Sequence, residues 1–425
     1  MKKTLFVTHW PGGGVWGLNQ LIRAEYMEEQ TGMRMADLSD IHISSSIGAL
    51  PANVLLIPSE KDPSIPQFKA GDLIAPFKKC AALVFGGDGV ENHHEQNVQH
   101  DLRHMLGAHD GRLARGMSRL LSDRTGNLHK NHNVFGKFLD SYVGDVKLEN
   151  LMKSSITQAH HMETVSRACF TVLKDDLFDK NEWSDAVIAN HGDLISVKDA
   201  IMATTAAPTM FDSYDIGGNH YVDFDHAYSP LAVLQLALKC LKKDPEPMNF
   251  LGQNHAKATD VHFLKIASSG HRDTVWDPVE YSNQGPLRME KDLVTNAGLD
   301  QQKIDNATME MMLGRENITF LSADSSALES ETHDLPSADI FNGNKSNLNK
   351  IERFARKHAK TQREEMMRYA EVVVETRSKE KTSDPLSAFR LAANENDPAI
   401  KGSAEPRKSG WFSGGLSRLV SSFTI

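Results

Sequence analysis

The sequence SDIHISSSIGALPANVLLIP, residues 39–58, decides the fold of this chain. It begins with an alternating run, residues 40–43, that predicts a buried strand, and it breaks sharply at residues 44–48. Apolar residues at helical spacing follow the break, at Leu50, Val54 and Leu55. A strand, a tight turn and a helix in this order can hold a serine on a strained turn, with its hydroxyl exposed above the sheet edge.

The same stretch has a simpler interpretation. The usual elbow has the pattern G-x-S-x-G, whereas here the first position is Ser44 and the last is Gly48. A serine-rich turn before a helix is often only a helix cap, in which Ser44 or Ser45 accepts hydrogen bonds from the first helical amides. Taken alone, the pattern favours the cap.

Composition limits the class of protein. The chain has 425 residues, of which 40% are hydrophobic and 24% are charged, as in a soluble globular protein of one large domain or two ordinary ones. The net charge of −9 argues against nucleic acid as a partner. The three distant cysteines, Cys80, Cys169 and Cys240, predict reduced thiols in a cytosolic protein, without a disulfide framework or a zinc site.

We expect no targeting segment in this sequence. Lys2 and Lys3 precede only a short apolar run, residues 4–8, which is too short for a signal peptide. No run of residues approaches the length of a transmembrane segment. We therefore expect a cytoplasmic protein.

A glycine-rich turn, residues 11–17, follows the first predicted strand, residues 3–8, and precedes an amphipathic helix. Consecutive glycines let backbone N–H groups point at a common anion, which is either a phosphate or an oxyanion. A plain glycine turn is an equal alternative.

The same turn also has the G-x-G-x-x-G spacing of a dinucleotide site, at Gly12, Gly14 and Gly17. That site needs an acidic residue at the end of the second strand to bind the ribose. Asp37 and Asp40 both precede the second strand, so the nucleotide interpretation lacks its ribose contact.

The remainder of the chain predicts further strands and helices. Strands are expected at residues 80–85, 154–173, 219–222, 261–267 and 317–321, and helices at residues 199–205, from Pro230, and at 347–374. Asp223 directly follows one of these strands, at the kind of strand end where α/β sheets build sites.

Residues 92–148 are polar and rich in histidine and predict a helical insertion that caps a pocket. His100 and His104 have the i, i+4 spacing of a metal pair, but no glutamate follows the H-E-x-x-H pattern. Solvated helices are therefore favoured over a metal site.

The carboxyl-terminal residues differ from the rest. Residues 377–409 have the composition of a flexible linker. Residues 410–425 are apolar again, and helical spacing places Leu416, Leu419, Val420 and Phe423 on one face. The segment from Trp411 to Phe423 could lie on a bilayer surface, dock on its own domain or bind a partner, with equal weight for the three.

Five motifs in collinear order resemble the patatin-like phospholipases, whose signatures are D-G-G-G-x-R-G, G-x-S-x-G and a later D-G-G/A. They are PGGGVWG at residues 11–17, SSSIG at 44–48, ATTAAPTMF at 203–211, DFD at 223–225 and LKIASSG at 264–270. The resemblance covers residues 1–376. It implies an α/β, three-layer fold, with a central mixed β-sheet flanked by helices.

The resemblance also implies a lipid acyl hydrolase of the phospholipase A or lysophospholipase type. Ser46 would be the nucleophile and Asp223 its base, with an oxyanion hole at Gly12, Gly13 and Gly14. Neither a cofactor nor a metal is implied. The substrate would be a phospholipid or a lysophospholipid, and an activator is conceivable.

Three positions depart from the family pattern. Trp16 stands in place of the arginine of the first motif, Phe224 in place of the glycine after the aspartate, and Ser44 in place of the first elbow glycine. A catalytically impaired scaffold that binds lipids or partners is therefore the second hypothesis. A nucleotide-binding oxidoreductase is the third.

Neighbouring residues offer further alternatives. Asp225 is another candidate base, and His226 suggests a Ser-His-Asp triad, although a polar turn residue is the more common role.

Four large residues either line an acyl groove or pack in the core, and these are Trp10, Trp16, Met210 and Phe211.

The hypothesis of a membrane-binding tail can be tested by deleting residues 406–425. The truncated protein is expected to bind liposomes more weakly, whereas its hydrolysis of a soluble ester should change less, because only binding uses the apolar face. Sedimentation with vesicles measures the first effect. Unchanged vesicle binding would exclude a membrane anchor.

Overall fold

The computed structural model describes residues 4–85, 133–174, 195–208, 210–223, 230–239, 261–268, 304–321, 335–337 and 340–383. The chain divides into two compact units, Met1–Val373 and Val374–Ile425. Most of the predicted insertion, its histidines from His93 to His132, Cys240 and the carboxyl-terminal tail lie outside the described residues.

Eight strands of the described chain form one mixed sheet. They are β1 (Leu5–Trp10), β2 (Ile41–Ser45), β3 (Ser154–His161), β4 (Ser166–Val172), β5 (Tyr214–Ile216), β6 (Asn219–Val222), β7 (Val261–Ile266) and β8 (Ile318–Leu321). Their order is β5-β6-β3-β2-β1-β7-β8, with β4 also paired to β3. Strands β3, β2, β1, β7 and β8 are parallel, whereas β4 and β6 run antiparallel to β3.

The helices of the described residues complete the fold. They are α1 (Gly17–Thr31), α2 (Met35–Leu38), α3 (Ala49–Val54), α4 (Ala70–Phe85), α5 (Val197–Thr204), α6 (Pro230–Lys239), α7 (Lys345–Thr361) and α8 (Arg363–Ser383). Residues 133–140 and 304–313 are also helical. None of the described helices is both long and apolar enough to cross a membrane.

Alternation along β1 separates two hydrophobic cores. Phe6 and Trp10 point to one face of the sheet, where they join the apolar faces of α1, α3, α4, α5 and α7. Leu5 and Val7 point to the other face, against α6 and residues 304–313. Strict alternation places successive side chains on opposite faces, so a strand that is buried throughout has helices on both sides. The predicted α/β class, with a mixed sheet between layers of helices, is confirmed.

The strand predicted at residues 80–85 is wrong, because these residues form the last turns of α4. The buried residues of α4 recur at helical spacing through Leu73, Phe77, Cys80 and Val84. A six-residue apolar run does not distinguish a buried strand from the buried face of a helix. The single helix predicted at residues 347–374 is two helices, separated at Gln362.

The predicted boundaries of the insertion and the linker also need correction. Residues 133–148 pack into the main core through Phe135, Phe138, Leu139, Val143 and Leu148, so this end of the predicted insertion is part of the domain. At the other boundary, α8 continues to Ser383, past the linker start predicted at Arg377.

A buried hydrogen bond joins β1 to β2 below the glycine turn. The Trp10 indole Nε1 donates to His42 Nδ1 over 3.0 Å, and the two rings stack. Both side chains are fully buried. Burial lowers the pKa of His42 to about 3, with a smaller contribution from Lys153. His42 is therefore neutral in the folded protein, with its proton on Nε2.

Acid should weaken the fold through His42. The unfolded histidine binds a proton below pH ~6.5 and the folded one only near pH 3, so stability falls as the pH drops through this window. The expected loss is about 2 kcal/mol between pH 6.5 and pH 5. His42→Gln keeps an acceptor for Trp10 but does not titrate. Urea unfolding should show a shallower acid slope for His42→Gln, and equal slopes would contradict the assignment.

Candidate active site

The predicted elbow is present at the end of β2. Ser46 has a φ of 49°, a left-handed conformation that is uncommon for a residue other than glycine. The turn continues as a short 3₁₀ helix, Ser46–Gly48, into α3. A Cβ atom on Gly48 would overlap the carbonyl oxygen of Trp10, so only glycine permits the elbow to approach the end of β1 this closely.

Sheet register brings Ser46 and Asp223 together. Strand β4 occupies one edge of β3 along residues 155–161, so β2 and β6 must share the other edge. Ser45, the last residue of β2, lies opposite Gln158. Val222, the last residue of β6, lies opposite His160. The two strands therefore approach end to end, with their last residues separated by about 6.6 Å along β3.

Ser46 directly follows β2, and Asp223 directly follows β6. Both residues therefore lie at the gap opposite Ala159, between the ends of the two strands. Each is 8% exposed. The backbones of both residues lie at the same gap in the pairing along β3. The register thus places the two predicted catalytic residues beside each other, although they are far apart in sequence.

The segment after α5 connects the two backbones. The Ser46 N–H donates to Thr204 Oγ1 over 2.8 Å, and Thr204 Oγ1 donates to the carbonyl oxygen of Gln158. Two residues further on, the carbonyl oxygen of Ala206 accepts from the Asp223 N–H over 3.0 Å. One short segment therefore fixes the backbone of both residues, and this segment lies in the small-residue motif at residues 203–211.

The glycine turn lies next to the elbow. A Cβ atom on Gly48 would also be only 2.7 Å from the carbonyl oxygen of Pro11, so the elbow contacts the start of the turn. Gly13 and Gly14 have positive φ values of 153° and 55°. Across the described residues, the N–H groups of Gly13 and Gly14 donate no hydrogen bond to the protein. The next amide, of Val15, donates to the carbonyl oxygen of Ile340 over 2.8 Å.

The geometry offers a dinucleotide no ribose contact from the two predicted acidic residues. Asp40 precedes β2, and its Oδ2 accepts from the Phe6 N–H over 3.0 Å, at the opposite end of the strands from the glycine turn. Asp37 lies in α2, before the same end. Gly17 packs against Ile47, so it serves the contact between α1 and the elbow.

A buried polar network under the elbow was not predicted from the sequence. Ser44 Oγ and Thr157 Oγ1 are 3.0 Å apart, and Thr157 Oγ1 also accepts from Asn53 Nδ2 over 2.9 Å. Ser155 Oγ donates to Asn53 Oδ1 over 2.7 Å. The network ties β2, β3 and α3 together below Ser46. It also explains why a serine is accommodated at the first elbow position, because its hydroxyl has a partner.

Three of the four predicted groove residues belong to the core. Trp10 is bonded to His42, and Phe211 packs against Phe85 and Phe135. Trp16 Nε1 donates to the carbonyl oxygen of Ser337 over 3.1 Å, and its ring meets Phe354 edge to face. Met210 is partly buried against the same core. The acyl-groove interpretation is therefore replaced by core packing for Trp10, Trp16 and Phe211.

One buried side chain at this edge of the sheet lacks partners. Both polar atoms of the Gln158 amide are buried without a hydrogen bond in the described structure. Gln158 lies opposite Ser45 and is fully buried. An unpartnered buried amide costs free energy, and such costs are typically tolerated at functional sites.

Phe224, Asp225 and His226 lie outside the described residues. Within the described part of the chain, no group of three or more histidine, cysteine or acidic side chains could hold a metal ion. Cys80 and Cys169 are free and buried.

Comparisons with known proteins add little to this geometry. No family model matches the chain. No curated protein matches it either. Among solved structures, the chain is similar to the crystal structure of VipD from Legionella pneumophila, with 11% sequence identity, coverage of 84% of this chain and 67% of VipD, and a TM-score of 0.32. A likeness of this degree does not establish membership of a family.

The unpartnered amide of Gln158 predicts a stabilising substitution. Gln158→Met keeps the volume of the side chain and removes the cost of burying two unsatisfied polar atoms, so the free energy of unfolding should rise by about 1–2 kcal/mol. Urea unfolding measures this change. Asn53→Leu is the matched control, because it removes a buried amide whose hydrogen bonds are satisfied, and it should destabilise the fold. No gain for Gln158→Met would show that the amide has a partner.

Proposed function

We propose that this protein is a serine-dependent lipid acyl hydrolase, of the phospholipase A or lysophospholipase type. The observation that carries the proposal is the end-to-end meeting of β2 and β6 on one edge of β3, which brings Ser46 beside Asp223. A left-handed serine on a strand-to-helix turn, beside a carboxylate and a glycine turn whose Gly13 and Gly14 N–H groups have no acceptor within the described residues, is an arrangement suited to acyl transfer.

The proposed reaction begins when Ser46 Oγ attacks the carbonyl carbon of an ester. Asp223 accepts the hydroxyl proton, and the carbonyl oxygen becomes an oxyanion. Collapse of this intermediate breaks the bond to the alcohol, which leaves with the proton from Asp223. Water, activated by the same carboxylate, then attacks the acyl-enzyme and releases the fatty acid and Ser46.

The N–H groups of Gly13 and Gly14 are the proposed donors to the oxyanion. They lie on the turn that contacts the elbow, and within the described residues they have no protein acceptor. One such donor typically lowers the barrier by about 3 kcal/mol, because it is already oriented where charge develops. Gly12 belongs to the same turn, and its carbonyl oxygen accepts from Ser268 Oγ. The reaction needs no metal or cofactor.

The lipid substrate is proposed from the motif resemblance. Five collinear motifs resemble those of the patatin-like phospholipases, and acyl esters of glycerophospholipids are the substrates that this resemblance implies. The amphipathic tail between Trp411 and Phe423 would add peripheral contact with a membrane.

A binding function on the same scaffold is the second candidate. It is favoured by Trp16, which stands in place of the arginine of the family motif and whose Nε1 donates to the carbonyl oxygen of Ser337, so the turn lacks that cationic side chain. Such a protein would bind lipid without turnover.

Fatty-acid release from mixed phospholipid vesicles tests the proposal directly. Ser46→Ala and Asp223→Asn should each reduce release by at least about 10³-fold, because the nucleophile and its base act as a unit. Asp215→Asn is the matched control, since Asp215 only caps the turn at Gly218 between β5 and β6. A serine-reactive fluorophosphonate should label the wild type and not Ser46→Ala. Lipid binding without release or labelling would favour the second candidate.

A further inference from the structure

We propose that Ser268 is a positioning residue, which aims the Gly13 N–H at the oxyanion, and that Gln20 supports it by holding the start of the glycine turn against the end of β7. The proposal rests on the function given above and names two side chains that the motifs do not assign. Neither side chain would touch the substrate. Each acts on a carbonyl group of the turn, and through it on the N–H group of the next residue.

The physical link is the planar peptide unit. The C=O of one residue and the N–H of the next share a rigid plane and point in opposite directions when the bond is trans. No cis peptide bond is present in the described residues. A donor that holds a carbonyl oxygen on one side of the turn therefore fixes the following N–H on the opposite side.

Ser268 holds the central peptide unit. Its Oγ donates to the carbonyl oxygen of Gly12, which fixes the direction of the Gly13 N–H. The approach is close enough that a Cβ atom on Gly13 would overlap the Ser268 hydroxyl. Ser268 itself is buried just after β7, beside the turn that follows β1. This contact requires both a small residue at position 13 and a hydroxyl at position 268.

Gln20 holds the preceding peptide unit, between Pro11 and Gly12. Its Nε2 donates to the carbonyl oxygen of Pro11 over 2.8 Å and to that of Ile266 over 3.0 Å. A reversed amide would place an oxygen against two carbonyl oxygens, so the orientation of the donor is defined. Gln20 therefore clamps the turn to the end of β7, one helical position after Asn19.

Hydrogen bonds from three further residues complete the support. Asn19 Nδ2 donates to the carbonyl oxygens of Ala267 and Ser268 over 3.2 Å and 2.9 Å, which fixes the backbone that carries the Ser268 hydroxyl. Arg23 Nε donates to Asn19 Oδ1 over 3.0 Å and so sets the orientation of that amide. The carbonyl oxygen of Gly13 accepts from the Trp16 N–H over 3.1 Å, which orients the Gly14 N–H in the same way.

Three successive carbonyl groups of the turn, those of Pro11, Gly12 and Gly13, are thus each held by a separate donor. The following N–H groups cannot rotate freely, and an oxyanion hole of this kind needs no reorganisation as charge develops. Loss of one anchor should leave the turn present but imprecise. A misplacement on the order of 1 Å can reduce the rate by about a hundredfold.

The test uses Ser268→Ala and Gln20→Met in the full chain, with a soluble chromogenic ester. Ser268→Ala should lower kcat by about tenfold to a hundredfold with KM nearly unchanged, because the aimed Gly13 N–H acts on the transition state and not on the bound substrate. Gln20→Met should lower kcat in the same direction but less, because Gln20 holds the peptide unit that precedes this donor. The rate of fluorophosphonate labelling should fall by a similar factor.

Ser39→Ala is the matched control. Ser39 is another fully buried serine whose Oγ donates to backbone carbonyl oxygens, those of Phe6 and Ile41, but it lies at the opposite end of β1 and β2. Ser39→Ala should lose about as much free energy of unfolding as Ser268→Ala and keep the kcat of the wild type. Equal kcat for Ser268→Ala, Gln20→Met and the wild type would overturn the positioning roles alone. A wild type that neither hydrolyses the ester nor reacts with the fluorophosphonate would overturn the proposed function as well.

Discussion

The site depends on how one edge of β3 is divided between two strands. Strand β2 pairs with the first part of that edge and β6 with the last part, while β4 covers the other edge throughout. Where β2 stops at Ser45, β6 arrives from the opposite direction and stops at Val222. The gap between them interrupts the regular ladder, and backbone groups there need other partners. Thr204 and Ala206 supply these partners for Ser46 and Asp223, so the break in pairing becomes a defined location for the two proposed catalytic residues.

The elbow stores strain that the surrounding packing offsets. A non-glycine residue in a left-handed conformation costs of order 1–3 kcal/mol and persists only where the structure fixes it strongly. Ser46 is fixed by its bond to Thr204, by the close approach of Gly48 to Trp10, and by the buried network centred on Asn53. These contacts come from β1, β3, α3 and α5. A serine that was only a helix cap would not need this support, which favours the elbow over the cap.

Local patterns predicted the parts of the site but not their meeting. A short apolar run predicted β1 and alternation predicted β2, and the break at residues 44–48 was visible because a strand pattern changes abruptly to a helical one. The position of Asp223 beside Ser46 depends on β6 pairing with the far end of β3, a long-range register that no local window contains. The error at residues 80–85 has a related cause, since a short apolar run has no period of its own. Ser268 lies in the quoted motif LKIASSG, but neither its hydrogen bond to the turn nor that of Gln20 could be predicted, because both act on backbone carbonyl groups.

Trp16 shows how the glycine turn can work without the arginine of the family motif. From the sequence, this substitution removes an anion contact. In the structure, the Trp16 indole Nε1 donates to the carbonyl oxygen of Ser337, and the ring packs on Phe354. The backbone N–H of Trp16 donates to the carbonyl oxygen of Gly13. In the proposed site, backbone N–H groups, whose partial charges are fixed in direction, would replace the positive charge of the arginine. A flexible guanidinium adds positive charge, whereas aligned backbone N–H groups are already oriented toward the oxyanion. In a site that excludes water, this preorganisation lowers the activation barrier. The burial of the Trp16 side chain therefore supports the glycine turn in its proposed role as an oxyanion hole.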